Sequence, residues 1–299
     1  MEEYQEKIIS RRNILPLSII ISALLISGAL FYGSVTSKNK TIAVDSVSQI
    51  DSEEVIPTKG FVLPIKWDGL GSKLVEAGVI DKTKFDQLYS ERGGLSADDQ
   101  AMIYSGDSQK IVITPQNANL VLNLLWAVGL ANKNEILETG PMSDSRYGEA
   151  GQFASTGGWT LSIGNPMDHY SKHKFITLTS AQQELVNKVS AGIYRPCCDN
   201  SVYFPDCNHG MAMLGLLEIM SAQGATESEM YKVALQVNAY WFPGTYLNIA
   251  DFLKTKGIDW KDVDPKEILG ASYSSASGYK AILQQINPSS SGGGSSCSA

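Results

Sequence analysis

Hydrophobic positions along the 299-residue chain fall into one unbroken block near the start and a series of helical stripes further on. The block is Ile14 to Gly33, "ILPLSIIISALLISGALFYG", which carries no charged residue. At about 1.5 Å per residue it reaches roughly 30 Å, the thickness of a bilayer's hydrocarbon core, and so predicts a single transmembrane helix. A cleaved signal peptide has a shorter apolar core, about 7–15 residues, closed by a small-residue cleavage site. No Ala-x-Ala stands cleanly after this span and no cysteine follows it as a lipoprotein anchor would require, so an uncleaved anchor is expected. Lys7, Arg11 and Arg12 precede the span while Lys38 and Lys40 follow it. That mild bias places residues 1–13 in the cytoplasm and the bulk of the chain on the extracytoplasmic side of the cell membrane.

Beyond the block, residues 34–60 are polar and aperiodic and read as a linker. Residues 287–299, "NPSSSGGGSSCSA", read as a flexible Ser/Gly tail. Between them, 61–286 is expected to be one compact multi-helix domain. "TPQNANLVLNLLWAVGLA" puts Leu120, Leu124 and Val128 on one face, with Pro115 at a first helical position after Thr114. "TSAQQELVNKVSAGI" has Ser180 and Gln183 in capping-box spacing and a stripe of Leu185, Val189 and Ile193. "HGMAMLGLLEIMSAQG" is an apolar helix stopping near Gly224, and Thr226 with Glu229 caps the next. Pro243 ends that helix or starts another, which Gly257 closes. Shorter helices are expected near "WDGLGSKLVEAGV", "SADDQAMIY" and "DPKEILG". Only "KIVITP" and "FITLT" have strand character, so the fold class is mostly α. A long Gly/Ser/aromatic loop separates the first two long helices; within it "STGGWTLS" reads as a glycine turn that packs Trp159 or presents it to a ligand.

Charge narrows the partners. The chain has 24 basic and 31 acidic side chains, and the first 33 residues are balanced, so the whole net charge of −7 belongs to the exported part. An acidic domain argues against nucleic acid and favours cations.

The chemistry concentrates in "YRPCCDNSVYFPDCNHGMAM", Tyr194 to Met213, which holds three of four cysteines and one of three histidines. The spacing is Cys197-Cys198-x8-Cys207-x-His209. Thiolates with an imidazole suit copper(I) or zinc. Asn208 can cap a helix beginning at His209, leaving Cys207 just ahead of a helix N-terminus that favours its thiolate. Met213, four residues beyond His209, can add a thioether or simply fill the core. His169 and His173, four apart beside Asp168, can share a helical face as ligands or lie in a solvated loop. Two other readings of the cysteines stand beside metal binding. One is a disulfide from Cys207 to Cys197 or Cys198, with an odd thiol left over or paired with Cys297; the other is thiol–disulfide chemistry with Cys207 as the attacking thiolate. No Gly-x-Ser-x-Gly elbow, phosphate-cradling Gly-x4-Gly-Lys loop or His-Glu-x-x-His helix occurs, so a binding protein is expected more than an enzyme.

The stretch 193–231, "IYRPCCDNSVYFPDCNHG…LLEIMSAQGATESEM", resembles the exported bacterial proteins named for a PCYCGC motif, at Cys197, Cys198, Cys207, His209 and Gly210. The resemblance implies a membrane-tethered extracytoplasmic protein engaged in metal binding or thiol chemistry. Two departures stand out: the family's Cys-x-Cys-x-Cys run is reduced to Cys197-Cys198, and Met211, Met213 and Leu216 replace the cysteines of its following helix. The expected protein is therefore a membrane-anchored one holding copper or zinc through Cys197, Cys198, Cys207 and His209, with Met213, His169 and His173 as further donors.

Overall fold

A computed structural model of the chain describes residues 51–106 and 110–286. In chain order its elements are α1 (Ser52–Val55), β1 (Phe61–Val62), α2 (Leu70–Glu76), α3 (Lys82–Ser90), α4 (Ala97–Tyr104), β2 (Val112–Ile113), α5 (Ala118–Ala131), α6 (Glu135–Thr139), α7 (Ser180–Gly192), α8 (Asn208–Ala222), α9 (Glu227–Trp241), α10 (Pro243–Thr255), α11 (Pro265–Ile268), α12 (Ala271–Ser274) and α13 (Ala276–Ile286). The domain is mostly helical as expected. Among the described residues none of these helices is long and apolar enough to cross a membrane. The Ile14–Gly33 span, the 1–13 tail, the linker as far as residue 50 and the 287–299 tail with Cys297 lie outside the described residues.

Two helices form the centre. Every residue of α5 except Asn119, and every residue of α8 except Ala222, is buried. A helix apolar on all sides belongs inside a layer of others rather than on a surface. The single stripe of Leu120, Leu124 and Val128 therefore understates α5, whose opposite face is covered as well. α5 and α8 share the most extensive interface in the domain, and α7 and α9 pack around them. The approach is close because glycines meet: a Cβ at Gly129 would stand 2.0 Å from the Met211 carbonyl oxygen, and one at Gly215 would stand 2.4 Å from that of Leu125. No real side chain fits either place.

Several boundaries move for identifiable reasons. Thr114 and Asn117 bond each other through side chain and backbone, 2.8 and 3.2 Å, making a turn that holds Pro115 ahead of α5, which starts at Ala118. The capping box of α7 is Thr179 with Gln182, one residue earlier than the spacing of Ser180 and Gln183 suggested. Gln183 is instead drawn inward to Asn134 Oδ1 at 3.1 Å. Thr226 and Glu229 do cap α9, and Pro243 opens α10. β2 falls in "KIVITP", but its antiparallel partner is β1. "FITLT" forms no ladder; its Ile176 N–H goes to Asn132 Oδ1 at 2.9 Å. α3 was not foreseen, although Asp81 caps it and Phe85 and Tyr89 bury beneath it. The end of the expected linker also folds on: Val55 is buried, and Pro57 O accepts from Tyr240 Oη at 2.7 Å.

The Gly/Ser/aromatic loop is a run of short 3-10 turns pinned by two tryptophans. Trp159 is fully buried, donates to Val79 O at 2.8 Å, and meets Trp126 edge-on at 4.9 Å. Trp126 in turn donates to Ser155 O at 2.7 Å. The glycine turn packs its aromatic inward rather than presenting it.

One titratable group sits at the centre of the packing. Glu218 of α8 is wholly buried and accepts from Asn134 Nδ2; burial pushes its pKa well above the ordinary carboxylate value, opposed by Asn134 and Asn132. The folded chain thus keeps a proton that the unfolded chain releases above about pH 4.3. Folding stability should fall as pH rises from there toward the raised folded value, by at most about 1.4 kcal/mol per pH unit. Urea titrations between pH 5 and 8 are expected to show this slope in the wild type and a flatter one in Glu218→Gln. At the helix crossing, Gly215→Ala should gain about 1 kcal/mol of helix propensity yet lose more to overpacking, for a net loss of about 2 kcal/mol in the same assay. Gly244→Ala, where an added Cβ meets nothing within 4 Å, should lose none.

Candidate metal centre

The cluster is a loop folded against the start of α8. After α7, Tyr194 and Ser201 form an isolated antiparallel bridge, and Val202, fully buried, donates its N–H to Ile193 O at 2.8 Å. This closes residues 194–203 into a bend whose tip carries Cys197 and Cys198. The far side of the bend is tied to α13: Ala276 N–H donates to Cys198 O at 3.0 Å, and Ser277 N–H to Asp199 Oδ1 at 2.8 Å. The returning segment reaches Cys207, which is itself the N-cap of α8, since the helix begins at Asn208 rather than at His209. Its extended backbone lets Sγ accept from Gly210 N–H at 3.4 Å, a sulfur standing where a cap oxygen is usual. Asn208 Oδ1 accepts from the His209 N–H instead, at 2.9 Å.

Two overlapping groups of donors result. The ligand atoms of Cys197, Cys207 and His209 lie within 4.8 Å of one another, as do those of Cys198, Asp206 and Cys207. Cys207 is the common member. Its sulfur is 3.4 Å from that of Cys197, too far for the roughly 2.05 Å of a disulfide and suitable for two donors facing one ion. His209 is packed at 4.4 Å against Phe242 and at 5.8 Å against Trp241, centroid to centroid. Its Nδ1 is buried and makes no hydrogen bond to the described residues. A buried ring nitrogen without a partner is costly, and a metal would satisfy it. Cys197, Cys198, Cys207 and His209 therefore lie close together and can hold a metal ion.

Electrostatics separates two of the thiols. The Cys207 pKa is held well below the ordinary thiol value by hydrogen bonding from Cys197 and then Cys198, with the Arg195 charge and His209 adding to it against burial. Cys197 draws the Cys198 pKa down, but Cys207 and burial outweigh it and push Cys198 up to about 12. Cys207 is thus the more readily ionised of the two.

Arg195 was not anticipated. It is 1% exposed, donates from Nε to Cys207 Sγ at 3.1 Å, and spends its other donors on Asn200 O, Phe204 O and Asp206 Oδ1. Gly210 makes room for it: a Cβ there would lie 2.6–2.7 Å from the guanidinium. Arg195 stands two residues before Cys197 and Asp206 one before Cys207, but an isolated Arg and Asp beside cysteines carry no spacing signal, so only the fold reveals the ion pair.

Of the more distant candidates, the two histidines do not join. Met213 is 1% exposed within the apolar core. His169 and His173 belong to neither donor group. They sit in the long loop after a 3-10 turn rather than on an α-helix, and they bond each other, Nδ1 to Nε2, at 3.1 Å. His169 Nε2 lies 3.0 Å from Ile163 O and must donate to it, so its Nδ1 accepts from His173. The lone pair of His169 that a metal would need is already used. Burial, and then the neighbouring His169, lower the His173 pKa. Asp168 is exposed beside them.

Comparison of the chain with family models, with curated proteins and with solved structures finds no match.

In metal-free reduced protein, ultraviolet titration should reveal one thiol that ionises well below the ordinary thiol range, a step that Cys207→Ser abolishes. The Cys198 thiol should not ionise until the pH approaches 12.

Proposed function

We propose that the chain is a membrane-tethered extracytoplasmic protein that holds a soft transition-metal ion, copper(I) or zinc(II), between Cys197, Cys207 and His209. The observation that carries this reading is the convergence of two sulfurs and one His209 ring nitrogen within 4.8 Å, on an imidazole whose Nδ1 is buried and makes no hydrogen bond to the described residues. Thiolate and imidazole are the donors these ions prefer, and two thiolates offset a cation in a site with little water. The uncharged Ile14–Gly33 stretch supports the tether, and the resemblance of 193–231 to the PCYCGC-motif proteins supports both parts. In this reading Cys207 supplies an easily ionised thiol, His209 is held by Trp241 and Phe242, and the bend between Tyr194 and Ser201 brings Cys197 onto them.

The 3.4 Å separation of the Cys197 and Cys207 sulfurs also favours a second reading, a thiol–disulfide pair with Cys207 attacking. Metal analysis separates the two. Reduced protein purified without chelator is expected to carry bound copper or zinc, lost in Cys207→Ser and weakened at least about tenfold in His209→Ala, as expected when one donor of a small site is removed. Protein that carries neither metal but exchanges disulfides readily would replace the first reading with the second. Recovery of the chain in the membrane fraction, with the domain open to protease from outside, tests the tether.

A further inference from the structure

The second donor group, Cys198, Asp206 and Cys207, shares Cys207 with the first and would on donor chemistry alone make a neighbouring site for another ion. A cation is already there. Arg195 Nε donates to Cys207 Sγ at 3.1 Å and Nη2 to Asp206 Oδ1, so the guanidinium contacts two of the three donors. It is 1% exposed and held from behind by the carbonyls of Asn200 and Phe204, at 2.8 and 3.0 Å. The first turn of α8 closes the remaining side at Gly210, where even a methyl group would collide with it.

We infer that Arg195 is the built-in cation of the second donor group, and that it limits the cluster to one metal ion, directed to Cys197, Cys207 and His209. This rests on the metal-binding reading proposed above. A metal ion entering between Cys198 and Asp206 would face a fixed positive charge in a poorly solvated place, where like charges repel strongly. It would also have to displace a side chain whose four hydrogen-bond partners cannot all be recovered elsewhere. In the first group Arg195 reaches the shared Cys207, while His209 Nδ1 is buried and makes no hydrogen bond to the described residues. Arg195 thus acts as a specificity-determining residue. It leaves Cys207 one direction in which to bind an ion, and it neutralises Asp206 so that the carboxylate does not recruit a harder cation.

The test is the stoichiometry of the reduced full-length chain, titrated separately with zinc(II) and, anaerobically, with copper(I) against a weak competing chelator. Bound metal is read by elemental analysis after desalting. One ion per chain is expected for the wild type and for Arg195→Lys, which keeps the charge. Arg195→Met, with helix content checked by circular dichroism, should bind about two. Two ions on the wild type would overturn the inference while leaving metal binding intact, and so would a folded Arg195→Met chain that still takes one. No ion on the wild type would remove the metal-binding reading and this inference together. Should Arg195→Met fail to fold, Arg195→Gln, which removes the charge but keeps hydrogen-bond donors, takes its place with the same expected count of about two and the same overturning count of one.

Discussion

The close crossing of α5 and α8 at Gly129 and Gly215 is the constraint on which the rest of the domain depends. Backbone touches backbone there, and each glycine occupies a place where any Cβ would lie within 2.4 Å of a carbonyl oxygen. Two helices this close bury nearly every side chain they carry, so a surrounding layer is required to cover them. That requirement explains the long loop as well. Trp126 of α5 and Trp159 of the loop interlock and fill the space beside the crossing, each donating its indole N–H to a backbone carbonyl. A segment rich in Gly, Ser and aromatics becomes an ordered wall by this means.

The same crossing fixes where the N-terminus of α8 lies, and with it Cys207, His209 and Gly210. The site is an assembly of a helix start and a bend that could each be drawn from sequence, joined by an ion pair that could not. Arg195 has nowhere to go except against the sulfur of its neighbour, and Gly210 is the residue that lets it come so near. The buried guanidinium, the Asp206 carboxylate and the Cys207 sulfur form one electrostatic unit, in which each member makes the others affordable in a poorly solvated environment.

How much of this was legible in advance depends on the range of the interaction concerned. Thr226 with Glu229, Pro243 at a helix start and glycines past helix ends depend on a few adjacent residues, and they appear where local rules place them. Gln183 breaks the rule because a residue 49 positions away, Asn134, competes for its amide. The histidine pair misleads in the same manner. A separation of four suggests a helical face, but the loop turns the rings head to head and consumes the donor that a metal would want.

The sequence by itself determined the helical class, the grouping of soft donors around Cys207, the exclusion of His-rich or phosphate-binding motifs and the acidic balance, since each follows from composition and short spacings. Only the tertiary structure decided that the donors divide into two overlapping groups, that Arg195 contacts Cys207 and Asp206, that His209 Nδ1 makes no hydrogen bond to the described residues, and that His169 and His173 stand outside both groups. The physical reason is that hydrogen-bond satisfaction and burial are properties of the whole packed chain. A residue's chemistry can be read from its identity, but its availability is set by whatever the fold brings against it.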